Sequence, residues 1–165
     1  MKRLMIITAV FALLLTGCGT RVSHDTLIEL SVSSITEYQN RLNALHPKDL
    51  EVSIRELAQK EGLEPRTSEY AGQILYCSDA HLRDGTAYSI SGYDRDGNIA
   101  VLITIINSQD NTIPLKISEK VRSLALERGL VLSYLKGADQ IRGGYLIVDS
   151  MKNGVMLIIG EERKY

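Results

Sequence analysis

Between residues 25 and 45 the apolar positions Ile28, Ile35, Tyr38, Leu42 and Leu45 recur at steps near three and four. That period reads as an amphipathic helix, with Asp25 as its cap. Ser31 stands where another apolar residue belongs. The spacing also fits three imperfect heptads, so a dimer seam is an alternative. Packing on its own domain is favoured, because a coiled coil needs a longer uninterrupted repeat. His46-Pro47 ends this helix, since a residue before proline is pushed out of the helical region. A second helix follows over residues 47–60, with Leu50, Ile54, Leu57 and Ala58 on one face and Gly62 as a left-handed terminator. Beyond it the pattern predicts strands at 69–77, 86–93 and 98–107. The last two flank Asp94-Arg95-Asp96-Gly97, and Asp-Gly is a strong hairpin signal.

The same grammar then returns. Ile54 to Ala58, with Gly62-Leu63, lines up with Val121 to Ala125, with Gly129-Leu130, at an offset of 67 residues. Tyr88 to Val101 lines up with Tyr145 to Ile158 at an offset of 57, which lays Asp96-Gly97 over Asn153-Gly154. Helix, cap and hairpin in one order indicate two pseudo-repeats, about 47–107 and 114–160, inside one domain of residues 25–165. The expected fold is α+β: two helix–β-hairpin units forming an antiparallel sheet packed by helices, plus the N-terminal helix. The falling offset gives the first copy about ten extra residues, which we place as a loop at 77–85.

The runs 99–106 and 155–159 are almost continuously apolar, whereas a strand with one wet face alternates. Both faces of these strands are therefore expected to be covered. Helices two and three serve one face. The first helix, a second subunit or a partner must serve the other.

The start of the chain changes the picture. Lys2-Arg3 and the apolar run 4–15 have the layout of a secretory signal and are too short to span a bilayer. The following Leu15-Thr16-Gly17-Cys18 resembles the lipobox of bacterial lipoproteins. That resemblance implies removal of residues 1–17, lipidation of Cys18 through a diacylglycerol thioether and usually a third, amide-linked chain such as palmitate. Two or three chains make anchoring effectively permanent. Residues 18–24 then form a lipidated N-terminus and short linker. Gly19, where an aspartate commonly means inner-membrane retention, implies the periplasmic face of the outer membrane in a Gram-negative host. The resemblance covers the first 18 residues and is silent about the domain.

A mature chain of 148 residues suffices for one core, and loss of Lys2 and Arg3 takes the formal net charge from −1 to −3. Without a block of like charge, nothing points to nucleic acid. Once Cys18 is lipidated only Cys77 remains, so no intrachain disulfide forms; the thiol is expected to be buried and inert, with an intermolecular disulfide as the alternative.

Candidate chemistry is thin. Cys77, Asp79 and His81 bring sulfur, oxygen and nitrogen to one predicted loop, together with Arg83 and Asp84. They lack the four convergent ligands of a zinc site, and His24 and His46 lie far away in sequence, at helix ends, so no metal or cofactor is expected. Asp94 to Asn98 fails as a calcium loop, because the required first and last ligand positions fall on Gly92 and Ile103. Ser133-Tyr134-Leu135-Lys136 matches only the bare Ser-x-x-Lys pattern, placed at a strand start rather than a helix start. The chain reads as a lipid-anchored envelope protein with a non-catalytic assembly, scaffolding or recognition role. Its expected partners are the membrane and an envelope protein or a second copy of itself. The alternative is a small envelope hydrolase or ligand-binding lipoprotein, which a polar pocket around His81 would favour.

Overall fold

A computed structural model describes the backbone of residues 22–43, 46–70, 72–95, 98–135, 138–141, 144–151 and 154–160, with their side chains except Tyr70, Arg95, Asn98 and residues 131–151. The N-terminal segment read as a secretory signal, Cys18 and Asp96-Gly97 lie outside the described residues.

Helix α1 spans His24–Leu42. Its cap is Ser23, whose Oγ accepts the Thr26 N–H at 3.1 Å; Asp25 sits inside the first turn, where its charge suits the helix dipole. The buried stripe is wider than the periodicity implies and includes Leu27, Leu30, Val32, Ser31 and Ser34. The cause is position: α1 lies between α2 (Leu50–Lys60) and α3 (Thr112–Glu127), touching both and the sheet. Its buried serines are satisfied locally. Ser31 Oγ and Ser34 Oγ donate to the carbonyls of Leu27 and Leu30, each at 2.7 Å. Ser31 also hydrogen-bonds the Tyr88 hydroxyl, which reaches the Leu27 carbonyl at 3.2 Å. The polar interruption in the stripe is thus the partner of a fully buried tyrosine.

Eight strands form one antiparallel sheet: β1 (Glu64–Tyr70), β2 (Gln73–His81), β3 (Thr86–Arg95), β4 (Asn98–Asn107), β5 (Val131–Leu135), β6 (Ala138–Ile141), β7 (Gly144–Met151) and β8 (Gly154–Gly160). The spatial order is β1-β2-β3-β4-β8-β7-β6-β5. The fold is α+β, and each half is a helix followed by a four-stranded meander rather than a single hairpin. Helix caps repeat between halves. Gly62 and Gly129 have φ of 81° and 69°, and the next residue donates back to Ala58 or Ala125 at 3.0 and 2.9 Å.

The hairpin offset is 56 rather than 57, because Arg95↔Asn98 closes one two-residue turn and Met151↔Gly154 the other. Side-chain alternation makes that single residue decisive. An offset of 56 carries Val101 and Ile103 onto Leu157 and Ile159, all buried in the same core. An offset of 57 would set Val101 over Ile158, on the opposite face. The two halves meet at β4 and β8, with Ile103↔Leu157 as the central pair.

The loop expected at 77–85 is a correction. Cys77, Asp79 and His81 belong to β2, and only Leu82 to Gly85 turn the chain. The extra length of the first half lies largely in β1 and β2, of seven and nine residues against five and four in β5 and β6.

The three helices among the described residues pack on one face. Leu27, Ile35, Ile54, Val121 and Ala125 share a core with Tyr88, Ile90, Ile103, Ile105 and Leu157. At Gly92 the backbone of α2 lies directly on β3: a Cβ there would stand 2.7 Å from the Leu50 carbonyl oxygen. The first helix therefore does not cover the second sheet face. Leu75, Cys77 and Leu102 are buried there but lie outside the main core.

Candidate functional site

The ladder between β1 and β2 begins at Glu64↔Asp79, so Ala80 and His81 project past the end of β1. This notch opens into a cleft of about 770 Å³. Its walls are the start of α1 (Val22 to His24), Gly62 after α2, the beginning of β1 and the end of β2 with its following turn.

Short-range chemistry fixes that turn. Gly85 has φ 82°, Leu82 N–H donates to the Thr86 carbonyl at 2.8 Å, and Asp84 Oδ1 accepts the Thr86 N–H at 3.0 Å. Asn107 holds it from β4, its Nδ2 donating to the Asp84 carbonyl at 3.1 Å and to Thr86 Oγ1 at 3.0 Å. Asp84 Oδ2 then lies 2.7 Å from His24 Nε2, clamping the turn to the start of α1. Partial burial raises the Asp84 pKa, but the hydrogen bonds from Thr86 and His24 outweigh it and leave it below the usual carboxylate range.

Along the sheet, Arg66 is paired with Asp79 and donates through Nη2 to Ser89 Oγ at 3.2 Å. Asp79 Oδ1 and His24 Nδ1 are shielded from water without a hydrogen-bond partner among the described residues. Arg83 and Glu64 are exposed, line the same cleft and pair with no charged side chain among those residues.

Cys77, Asp79 and His81 share one face of β2 by strand alternation. Asp79 and His81 line the cleft. Cys77 instead lies in an adjoining groove of about 180 Å³ with Arg66, Ser89, Ser91, Leu102 and Met156. It is 2 % exposed; burial pushes its thiol pKa up, against an opposing pull from Arg66. A thiol so placed is a poor nucleophile. Among the described residues, no group of three or more His, Cys, Asp or Glu is placed to hold a metal ion.

Arg66 and Ser89 are absent from the sequence-derived candidates, and His24, set aside there as distant in sequence, lines the same cleft as His81. His24 is 60 residues from Asp84, and nothing in its local pattern signals the pairing. Asp94 plays another part: it accepts from Arg41 Nε at 2.7 Å and faces the Leu50 N–H at 3.4 Å, tying the end of α1 to the start of α2. The side chains of Ser133 and Lys136 lie outside the described residues. No helix among the described residues is long and apolar enough to cross a membrane. Against family models, curated proteins and solved structures, the chain matches none.

Proposed function

We propose that this is a lipid-anchored cell-envelope protein, held through Cys18 at the periplasmic face of the outer membrane, with a non-catalytic assembly or recognition role. The observation that carries the recognition role is one-sided packing among the described residues: three helices occupy one face of the sheet, and none of these helices lies over the other, which carries Leu102, Thr104, Ile106, Met156 and Ile158. A partner or second copy seated on that face would complete the burial that the apolar strands call for.

Photo-cross-linking in intact cells tests this, with the probe at Ile106 on the open face, at Leu115 on α3, and at each site again in a Cys18→Ser background. Both reporters are exposed, at 36 % and 44 %. A specific adduct from Ile106 that disappears in Cys18→Ser is the expected result. Adducts equal from both positions, or unaffected by loss of Cys18, would overturn it. A ligand-binding role is the second reading, favoured by the polar groups that converge with His81 on the cleft.

A further inference from the structure

The open face of the sheet has a relief that fits a copy of itself. On that face β3 carries three successive small residues, Ala87, Ser89 and Ser91, which leave a furrow between its neighbours. The furrow is a groove of about 180 Å³ over Ser89 and Ser91, with Leu75 and Cys77 on one side and Leu102, Thr104 and Met156 on the other. One strand beyond β4, Met156 and Ile158 of β8 form a half-buried ridge. Furrow and ridge are each one strand away from β4 and share its rows. Ser89, Thr104 and Met156 lie side by side in one row, and Ser91, Leu102 and Ile158 in the next.

A twofold axis running along β4, in front of this face, carries the β8 of one copy over the β3 of the other and the reverse. Each Met156 then meets a Ser89 and each Ile158 a Ser91, large against small. Aligned sheets pack about 10 Å apart and within about 30° of each other, so rows one strand from the axis stay matched to within a few Å. The five strands centred on β4 (β2, β3, β4, β8 and β7) are seven to ten residues long. At about 3.4 Å per residue and 4.8 Å between strands they present roughly 700 Å². A stable interface takes about 800 Å² from each partner.

The anchor selects this axis over other face-to-face arrangements. His24 pairs with Asp84 in the turn between β2 and β3, and Asn107 at the end of β4 holds the same turn. The start of α1 therefore marks one end of the strands, and Cys18 lies within about 14 Å of Val22 at roughly 3.4 Å per residue. An axis parallel to β4 keeps both anchors at that end, where both enter one leaflet. An axis across the strands would send them to opposite ends.

Resting on the anchored reading and its open face, we propose that the occupant of that face is a second copy of this chain. The two sheets pack face to face about a twofold axis along β4, with Leu102, Thr104 and Ile106 on the axis and each β8 ridge in the other copy's β3 furrow. An isologous contact of this kind uses one patch twice and closes at two copies.

The test is sedimentation equilibrium of the full-length lipidated protein, with maltoside micelles in large excess over protein. The parent should be a dimer. Ile106→Glu and Ile106→Lys, at an exposed position, each set like charges against each other across the axis and should weaken association at least tenfold. An equal mixture of these two variants should re-associate, because opposite charges then meet, and a merely misfolded variant would not be rescued in this way. Leu115→Glu, exposed on α3, should leave the dimer unchanged. A monomeric parent, charged variants that associate as the parent does, or a mixture that stays monomeric would overturn the second copy. Photo-cross-linking from Ile106 judges the open face separately. An adduct with a different protein would overturn the twofold dimer and keep the face as a partner site, whereas no Cys18-dependent adduct would overturn the face itself.

Discussion

Replacing Gly92 with alanine sets a methyl group against the first turn of α2. An ideal Cβ at this position lies 2.7 Å from the Leu50 carbonyl oxygen and 2.9 Å from both N and Cα of Glu51. These are backbone atoms and cannot rotate aside, so either α2 or β3 must shift. Overpacking of this kind costs about 1–3 kcal/mol, and a backbone obstacle belongs at the upper end. Alanine recovers about 0.5–1 kcal/mol of the entropy penalty that glycine carries inside a strand. The net loss is about 2 kcal/mol, which for a domain of this size lowers Tm by roughly 6 °C. Gly160→Ala is the control, because its Cβ would meet Ala100 Cβ at 3.6 Å, an ordinary contact. It should be neutral or stabilising by about 0.5 kcal/mol. Circular-dichroism melts of the full-length proteins in one detergent decide the matter. If Gly92→Ala melts within a degree of the parent, or Gly160→Ala loses as much, the placement of α2 on β3 is wrong.

Three further outcomes follow from the same geometry. Ser31→Ala should cost about 1 kcal/mol in chemical denaturation, since the Tyr88 hydroxyl keeps the Leu27 carbonyl, whereas Ser31→Leu should cost about 2–3 kcal/mol by overpacking. A leucine variant more stable than the parent would sink that account. The folded pKa of Asp84 lies below its unfolded value near 3.9, so its contribution to stability is fully present above that value and is lost as pH falls through the folded pKa. Asp84→Asn should therefore flatten the fall in Tm between about pH 5 and pH 3; identical acid profiles would contradict this. Cys77 should resist a water-soluble thiol reagent in the folded protein, and denaturation should then release one reactive thiol per chain when Cys18 is acylated and two when it is not. Rapid native labelling at Cys77 would refute its burial.

Local features were the legible ones. The strand 98–107 and the twin glycine caps are written in a few adjacent residues, and β4 and both terminators stand where the pattern puts them. The edge strand β1 escaped notice because Glu-Pro-Arg-Thr-Ser-Glu-Tyr carries no apolar alternation; proline and charge on its rim are what a sheet edge needs to avoid pairing with another chain. The polar composition of residues 77–85 reads as a loop, yet Cys77, Asp79 and His81 sit in a strand whose partner, Ala87 to Ser91, supplies the missing periodicity. Asp79, His81 and Asp84 of the cleft were legible as neighbours in sequence. Its other half comes from His24 and Arg66, which reach the same place only through the path of α1 and the order of β1 and β2.

The meeting of β4 and β8 in the middle of the sheet also sets how the chain must be assembled in time. Every other ladder joins strands that follow one another directly, but the pairs across β4 and β8 are separated by 48 residues at Ile106↔Gly154 and by 60 at Ala100↔Gly160. The two meanders can close locally and early, whereas the seam between them waits for the slow encounter of distant segments. Until β8 arrives, β4 is a ten-residue edge that carries Val101, Ile103 and Ile105 with no charged residue along it. A half-made chain thus exposes the kind of strand that pairs with a stranger. The completed sheet hides its most adhesive strand at its centre and leaves the proline-bearing one at its rim.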